Sequence, residues 1–123
     1  MVIPRSEFER LVEEALASLP PRFANLLDNI MVVVEDEPSE DDLDVMDDDA
    51  YDAGHELLGL FRGTPLTART HDMLPTLPAQ VAIFRGPILR IARTRHEAVQ
   101  QIRETVIHEL GHYFGLDDHD MSY

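Results

Sequence analysis

Residues 108–118 read His108-Glu109-Leu110-Gly111-His112-Tyr113-Phe114-Gly115-Leu116-Asp117-Asp118. This stretch narrows the possible folds and chemistries more than any other part of the chain. Positions four apart share a face of an α-helix, so His108 and His112 can offer two imidazoles to one metal ion. Glu109 is one step round the helix, near enough to contact a metal-bound water without being a ligand. Gly115 can end the helix and turn the chain back, which lets Asp118 supply a third ligand. Three protein ligands with a fourth position left for water describe a catalytic zinc; a structural zinc site is closed. His119, next to Asp118, is a rival third ligand, and Asp117 a weaker one.

The flanking sequence supports a helix here. Thr94 followed by Glu97 is a capping box that starts a helix near Arg95. Val99, Ile102, Val106, Leu110 and Tyr113 recur at spacings of three and four, giving one apolar stripe. Gly115 falls where a left-handed C-terminal residue is wanted. His108 and His112 lie to the side of the stripe, on the border of a cleft.

The remaining segments predict a mixed fold. Ser6 and Glu9 read as a second capping box, continued by Phe8, Leu11, Val12, Ala15 and Leu16 as an amphipathic helix that Pro20-Pro21 ends. Phe23, Leu26 and Leu27 suggest a further apolar turn. The β-branched run Ile30–Val34 reads as a buried strand. Leu57–Phe61 and Val81–Phe84 are further strand candidates, and Arg62–Pro65 reads as a turn. Residues 71–78 read as an irregular loop. Ile88, Leu89 and Ile91 fit either a strand or a helical turn. The 123 residues contain no repeat and no linker, so a single α+β domain over 1–123 is expected.

Charge is unevenly placed. Of a formal net charge of −14, residues 35–52 supply eleven acids and no base. Such a block is expected to be a solvated loop, dispensable for folding. No Gly stands at the sixth position of an EF-hand loop there, so a calcium loop of that kind is excluded. An acidic surface repels phosphate backbones, so no nucleic-acid partner is expected. No stretch approaches the roughly 18 apolar residues of a membrane span. The N-terminal residues carry no apolar run of signal-peptide length, and there is no Cys. A cytoplasmic protein without disulfides is the simplest expectation.

The extended pattern H-E-x-x-H-x-x-G-x-x-D, the short chain and its ending just after the motif resemble the bacterial minimal zincins, small proteins classed as zinc metallopeptidases. Gly59-Leu60-Phe61 and Ile83-Phe84-Arg85 add weaker matches. The resemblance implies a zincin-like core: a small twisted sheet packed against an N-terminal helix and an active-site helix. It also implies Zn2+ as cofactor, His108, His112 and Asp118 as its ligands, Glu109 as the catalytic carboxylate, and a peptide or protein substrate. In that reading Glu109 takes a proton from the attacking water and delivers it to the leaving amine. A strand over 81–84 at a sheet edge would hold an extended peptide by β-addition. Tyr51, His71, His119 and Tyr123 have the chemistry of an oxyanion donor, and no spacing selects among them. His55, His71 and His96 stand outside any motif and are read as ordinary surface or hydrogen-bonded His. Two rival readings stay open: a non-catalytic zinc-binding interaction protein, which would tolerate loss of Glu109, and a metal-dependent endoribonuclease, whose H-x-x-x-H helix His112-x-x-Gly115-Leu116-Asp117 echoes.

Overall fold

A computed structural model describes residues 1–44, 52–53, 56–63 and 79–113. The elements in chain order are α1 (Arg5–Ala17), α2 (Pro21–Ala24) running into a 3₁₀ turn (Asn25–Asn29), β1 (Met31–Glu35), α3 (Glu40–Asp44), β2 (Asp52–Ala53), β3 (Glu56–Leu57), β4 (Gly59–Arg62), β5 (Gln80–Phe84), α4 (Arg85–Ile91) and α5 (Arg95–Tyr113). This is the expected α+β class. Among the described residues, no helix is long and apolar enough to cross a membrane.

The main sheet has the order β1-β5-β4. β5 lies in the middle, parallel to β1 with Val33 opposite Ala82, and antiparallel to β4 with Phe61 opposite Val81. β2 and β3 form a separate antiparallel pair. Two expectations are corrected here. Val81–Phe84 is the central strand and not an edge, which is why all four residues are buried. Ile30–Val34 contributes to an edge strand and not a buried one: Met31 is 48% exposed and the valines are half-buried, because among the described residues β1 pairs with β5 alone.

Helices cover one face of the sheet. Phe8, Leu11, Val12 and Ala15 of α1, at helical spacing, pack with Ile102, Val106 and Leu110 of α5 and with Val81 and Ile83 of β5. Ile88 and Leu89 join this core from α4, so residues 88–91 are helical and not a strand. Leu57, Leu60, Ala82 and Phe84 form a second buried cluster on the other face, with Val33 packed against it. Strand alternation accounts for the division between Val81 and Ile83 on one side and Ala82 and Phe84 on the other.

The start of α1 departs from expectation. Its N-cap is Pro4, with no side-chain cap bond, so Ser6 lies in the first turn and makes no capping box with Glu9. Pro residues still mark the end of this region: α1 stops at Ala17, and Pro21 opens α2 from its first position, where a missing N–H costs nothing.

The first half of the acidic segment is built into the fold, against the expectation of a dispensable solvated loop. The Ser39 N–H donates to Asp42 Oδ2 (2.9 Å) and the Asp42 N–H to Ser39 Oγ (3.1 Å), a reciprocal box that starts α3. Arg side chains from elsewhere neutralise the segment: Arg62 pairs with Glu35 and Asp42, Arg85 and Arg5 with Asp36, and Arg90 with Glu37. The Gly86 N–H donates to the Asp36 carbonyl at 2.8 Å, and a Cβ at Gly86 would overlap the Glu37 carboxylate. The segment therefore seats directly on the start of α4. Block charge in the sequence is silent about distant Arg partners, and those partners decide the outcome here.

Candidate metal centre

α5 begins as its sequence predicts. The Glu97 N–H donates to Thr94 Oγ1 at 3.1 Å, and Glu97 Oε2 accepts from the Arg93 N–H at 2.6 Å. The return bond goes to Arg93 and not to Thr94 itself, one residue earlier than the usual box. Val99, Ile102, Val106 and Leu110 are buried along one stripe. The stripe orients the helix, and its rotation places residues 105 and 109 toward the β4 side.

β4 lies along α5 in matched steps. At Gly59 an added Cβ would overlap Thr105 Cγ2 and sit 2.9 Å from the Ala82 carbonyl oxygen. Two residues later in the strand, the Phe61 N–H donates to Glu109 Oε2 at 3.2 Å. Two strand residues span about 6.8 Å and four helical residues about 6.0 Å, so both contacts form without distortion. Hydrogen-bond parity explains why this N–H is available to the helix. The Phe84 N–H bonds to the Leu58 carbonyl, and the register puts Leu60 and Arg62 in the bonded pairs with β5. Gly59 and Phe61 therefore direct their backbone polar groups away from β5. A charge-assisted bond from such an N–H is worth about 1.5–3 kcal/mol.

The result is a carboxylate held in place. Glu109 is 3% exposed, one of few buried charged side chains among the described residues. His108 precedes it at the half-buried border of α5. His112 follows one turn later on the same helix, and its side chain lies outside the described part, as do the side chains of all residues from 113 on. Asp118, with its rivals Asp117 and His119, thus falls outside the described residues, as do Gly115, Tyr51, His55, His71 and Tyr123. Among the described residues, no three His, Asp or Glu side chains converge as a metal-holding group. Imidazoles at i and i+4 are nevertheless a donor set suited to Zn2+. His96 is exposed near the start of α5, about 18 Å along the helix from His108.

Sequence reasoning missed the backbone N–H of Phe61 and the side chain next to it in the strand, Arg62. Arg62 Nη1 and Nη2 donate to the two oxygens of Glu35 at 2.7 and 2.8 Å, and Nε and Nη2 donate to Asp42 at 3.1 and 2.8 Å. Hydrogen bonding to Arg62 holds the Glu35 carboxyl below its ordinary value. Burial pushes Asp42 upward, but bonds from Ser39 and Arg62 outweigh it and leave the group lowered. Arg62 is raised in turn, first by its bonds to Glu35. Nothing local in Gly59-Leu60-Phe61-Arg62 announces these contacts, since every partner is 20 or more residues away.

The solved structure of a conserved hypothetical protein from Thermus thermophilus is similar, with a TM-score of 0.55 over 91% of this chain and 94% of that one. At 22% identity the likeness shows the fold alone. No curated protein matches the chain. The model of the zincin-like metallopeptidases matches residues 27–123, which takes in all the strands and the whole of α5. With most of its length matched, the chain belongs to the zincin-like metallopeptidase family.

Proposed function

We propose that this protein is a zinc-dependent metallopeptidase that hydrolyses peptide bonds, with Zn2+ held by His108, His112 and Asp118 and with Glu109 as general base. The observation that carries the reading is the placement of Glu109. It directly follows the first imidazole of the motif, it is buried, and its Oε2 is oriented by the Phe61 N–H. Family membership supports the peptidase class.

When bound, the ion supplies a Lewis acid that lowers the pKa of water from about 15.7 to about 7 and polarises the scissile carbonyl. Glu109 accepts the proton of the attacking water and returns it to the leaving amine. Because β5 is central among the described strands, addition of a peptide along residues 81–84 is not part of this reading.

Glu109→Gln tests the reading, because it keeps the shape and removes the basic oxygen. Zinc content and stability should hold, while cleavage of a susceptible library peptide should fall about 10²–10⁴-fold. RNA cleavage that survives the substitution would instead identify a nuclease. Absence of any cleavage by the zinc-loaded wild type, with a partner-binding activity intact in Glu109→Gln, would overturn the enzyme and leave an interaction protein.

A further inference from the structure

We infer that Arg62 is a positioning residue for Glu109, acting through β4; the inference rests on Glu109 being the catalytic carboxylate. β4 is four residues long and, among the described strands, an edge of the main sheet. Phe61, which orients Glu109, is its penultimate residue, and a strand end opens more easily than a strand centre. The hold on the last residue of the strand therefore decides how long the Phe61 N–H stays against the carboxylate.

Arg62 ends the strand with an anchor drawn from two other elements. Along the register it stands beside Gln80, at the opposite end of β5 from Phe84, the residue that Glu35 faces. The guanidinium thus reaches diagonally over the sheet, past β5, to a carboxylate on the far edge strand. It meets both oxygens of Glu35 and, through Nε and Nη2, the 6%-exposed Asp42. Asp42 is itself fixed by the Ser39 N–H. A planar fork with carboxylates on two sides has little freedom, and it holds the Cα next to Phe61 accordingly. At the other end of β4 the Gly59–Thr105 contact has no slack. With both ends held, the Phe61 N–H has one place to go.

Amide hydrogen exchange followed by NMR on the zinc-loaded protein tests this. The Phe61 amide, though directed away from β5, should be protected in the wild type. In Arg62→Met, which keeps the aliphatic stem and removes the charge, it should exchange about tenfold to a hundredfold faster. The amides of Val81 and Ile102 should keep their wild-type rates, and zinc per chain should be unchanged. Arg62→Lys, which retains a cation for one carboxylate, should recover part of the protection. Glu35→Gln, the mildest change, should move Phe61 in the same direction by less. If a cleaved peptide is found, kcat of Arg62→Met should fall severalfold and be partly restored by Lys. An unprotected Phe61 amide in the wild type would overturn the inference, as would equal acceleration of Phe61, Val81 and Ile102, which would mark Arg62 as a residue of global stability. Failure of the wild type to cleave any peptide would sink the peptidase and leave the exchange result standing, so the two failures are distinguishable.

Discussion

Gly59 and Thr105 meet with no room for another atom between them. A Cβ on Gly59 would overlap Thr105 Cγ2 and press on the Ala82 carbonyl oxygen at 2.9 Å, so the strand and the helix that carries His108 and Glu109 touch at van der Waals distance. Thr105 is fully buried, and its Oγ1 donates to the Gln101 carbonyl at 2.6 Å, which fixes where Cγ2 points. Gly59→Ala should therefore destabilise the protein by about 1–3 kcal/mol, as overpacking of a filled interior does. Thr105→Ser removes Cγ2 and keeps the hydroxyl. Combined with Gly59→Ala it should recover part of the loss but not all, since the Ala82 carbonyl remains. Urea unfolding of the four proteins in this cycle measures the coupling. A neutral Gly59→Ala would mean that β4 does not lie against α5 as described.

Acid should loosen the attachment of the acidic segment before it touches the apolar core. Arg62 holds Glu35 below the ordinary Glu value of 4.5, Arg90 does the same for Glu37, and Asp42 lies below 3.8 once its bonds to Ser39 and Arg62 outweigh burial. For a carboxylate whose folded value is depressed, the stabilisation is complete above the unfolded value and is lost as pH falls through the folded one. Stability should thus be level above about pH 5 and decline steadily below about pH 4.5. Glu37 and its Arg90 partner are about half exposed, so their share is small after solvent screening. Arg62→Met should flatten the decline, because Glu35 and Asp42 then titrate nearer their ordinary values. Thermal melts of both proteins between pH 3 and 7 give the comparison; parallel curves would show that Arg62 contributes nothing to the acid limb.

How much of this was legible in the sequence depends on distance along the chain. The α5 start, the burial of Val99, Ile102, Val106 and Leu110 and that of α1 residues Phe8, Leu11, Val12 and Ala15 follow from spacings within one helix, although Ala98, Thr105 and Ile107 are buried beside that stripe as well. The order of strands does not follow from such spacing. Val81–Phe84 and Ile30–Val34 are both short apolar runs, and only pairing distinguishes a centre from an edge. The same holds for the acidic segment. Its block of charge looks solvated until Arg62, Arg85 and Arg90 are brought to it by strand and helix packing. At the candidate site the motif pointed to Glu109, but the donor that orients it is a backbone N–H 48 residues away, to which no side-chain pattern could point.

Asp42→Ala should cost about 1–3 kcal/mol, combining loss of a helix cap with loss of a carboxylate that Arg62 needs. The residue is 6% exposed and closes the reciprocal box with Ser39. Asp41→Ala, at an exposed neighbouring position, should be within about 0.5 kcal/mol of wild type, as surface changes usually are. Chemical denaturation separates the two. Equal, negligible effects would return residues 36–44 to the status of a dispensable loop.

The purified protein should carry one Zn2+ per chain, and removing either imidazole should abolish that stoichiometry. His108 and His112 lie one turn apart on a helix whose rotation is fixed by its buried stripe and by the β4 contacts at Thr105 and Glu109. The donors are thus presented by a rigid element, and His108→Ala or His112→Ala should reduce zinc content to background while α5 stays folded, since neither belongs to the apolar stripe. Asp118→Ala should weaken zinc binding strongly, and His119→Ala should not; the reverse result would transfer the third ligand to His119 and leave the centre itself in place. Glu109→Ala should leave zinc bound, because in the proposed reading that carboxylate is not a ligand of the ion; its Oε2 accepts from the Phe61 N–H. Metal analysis by mass spectrometry after dialysis, joined to anomalous scattering at the zinc edge, reads all five variants. A metal-saturated wild type with no zinc density beside α5 would remove the centre, and with it the peptidase.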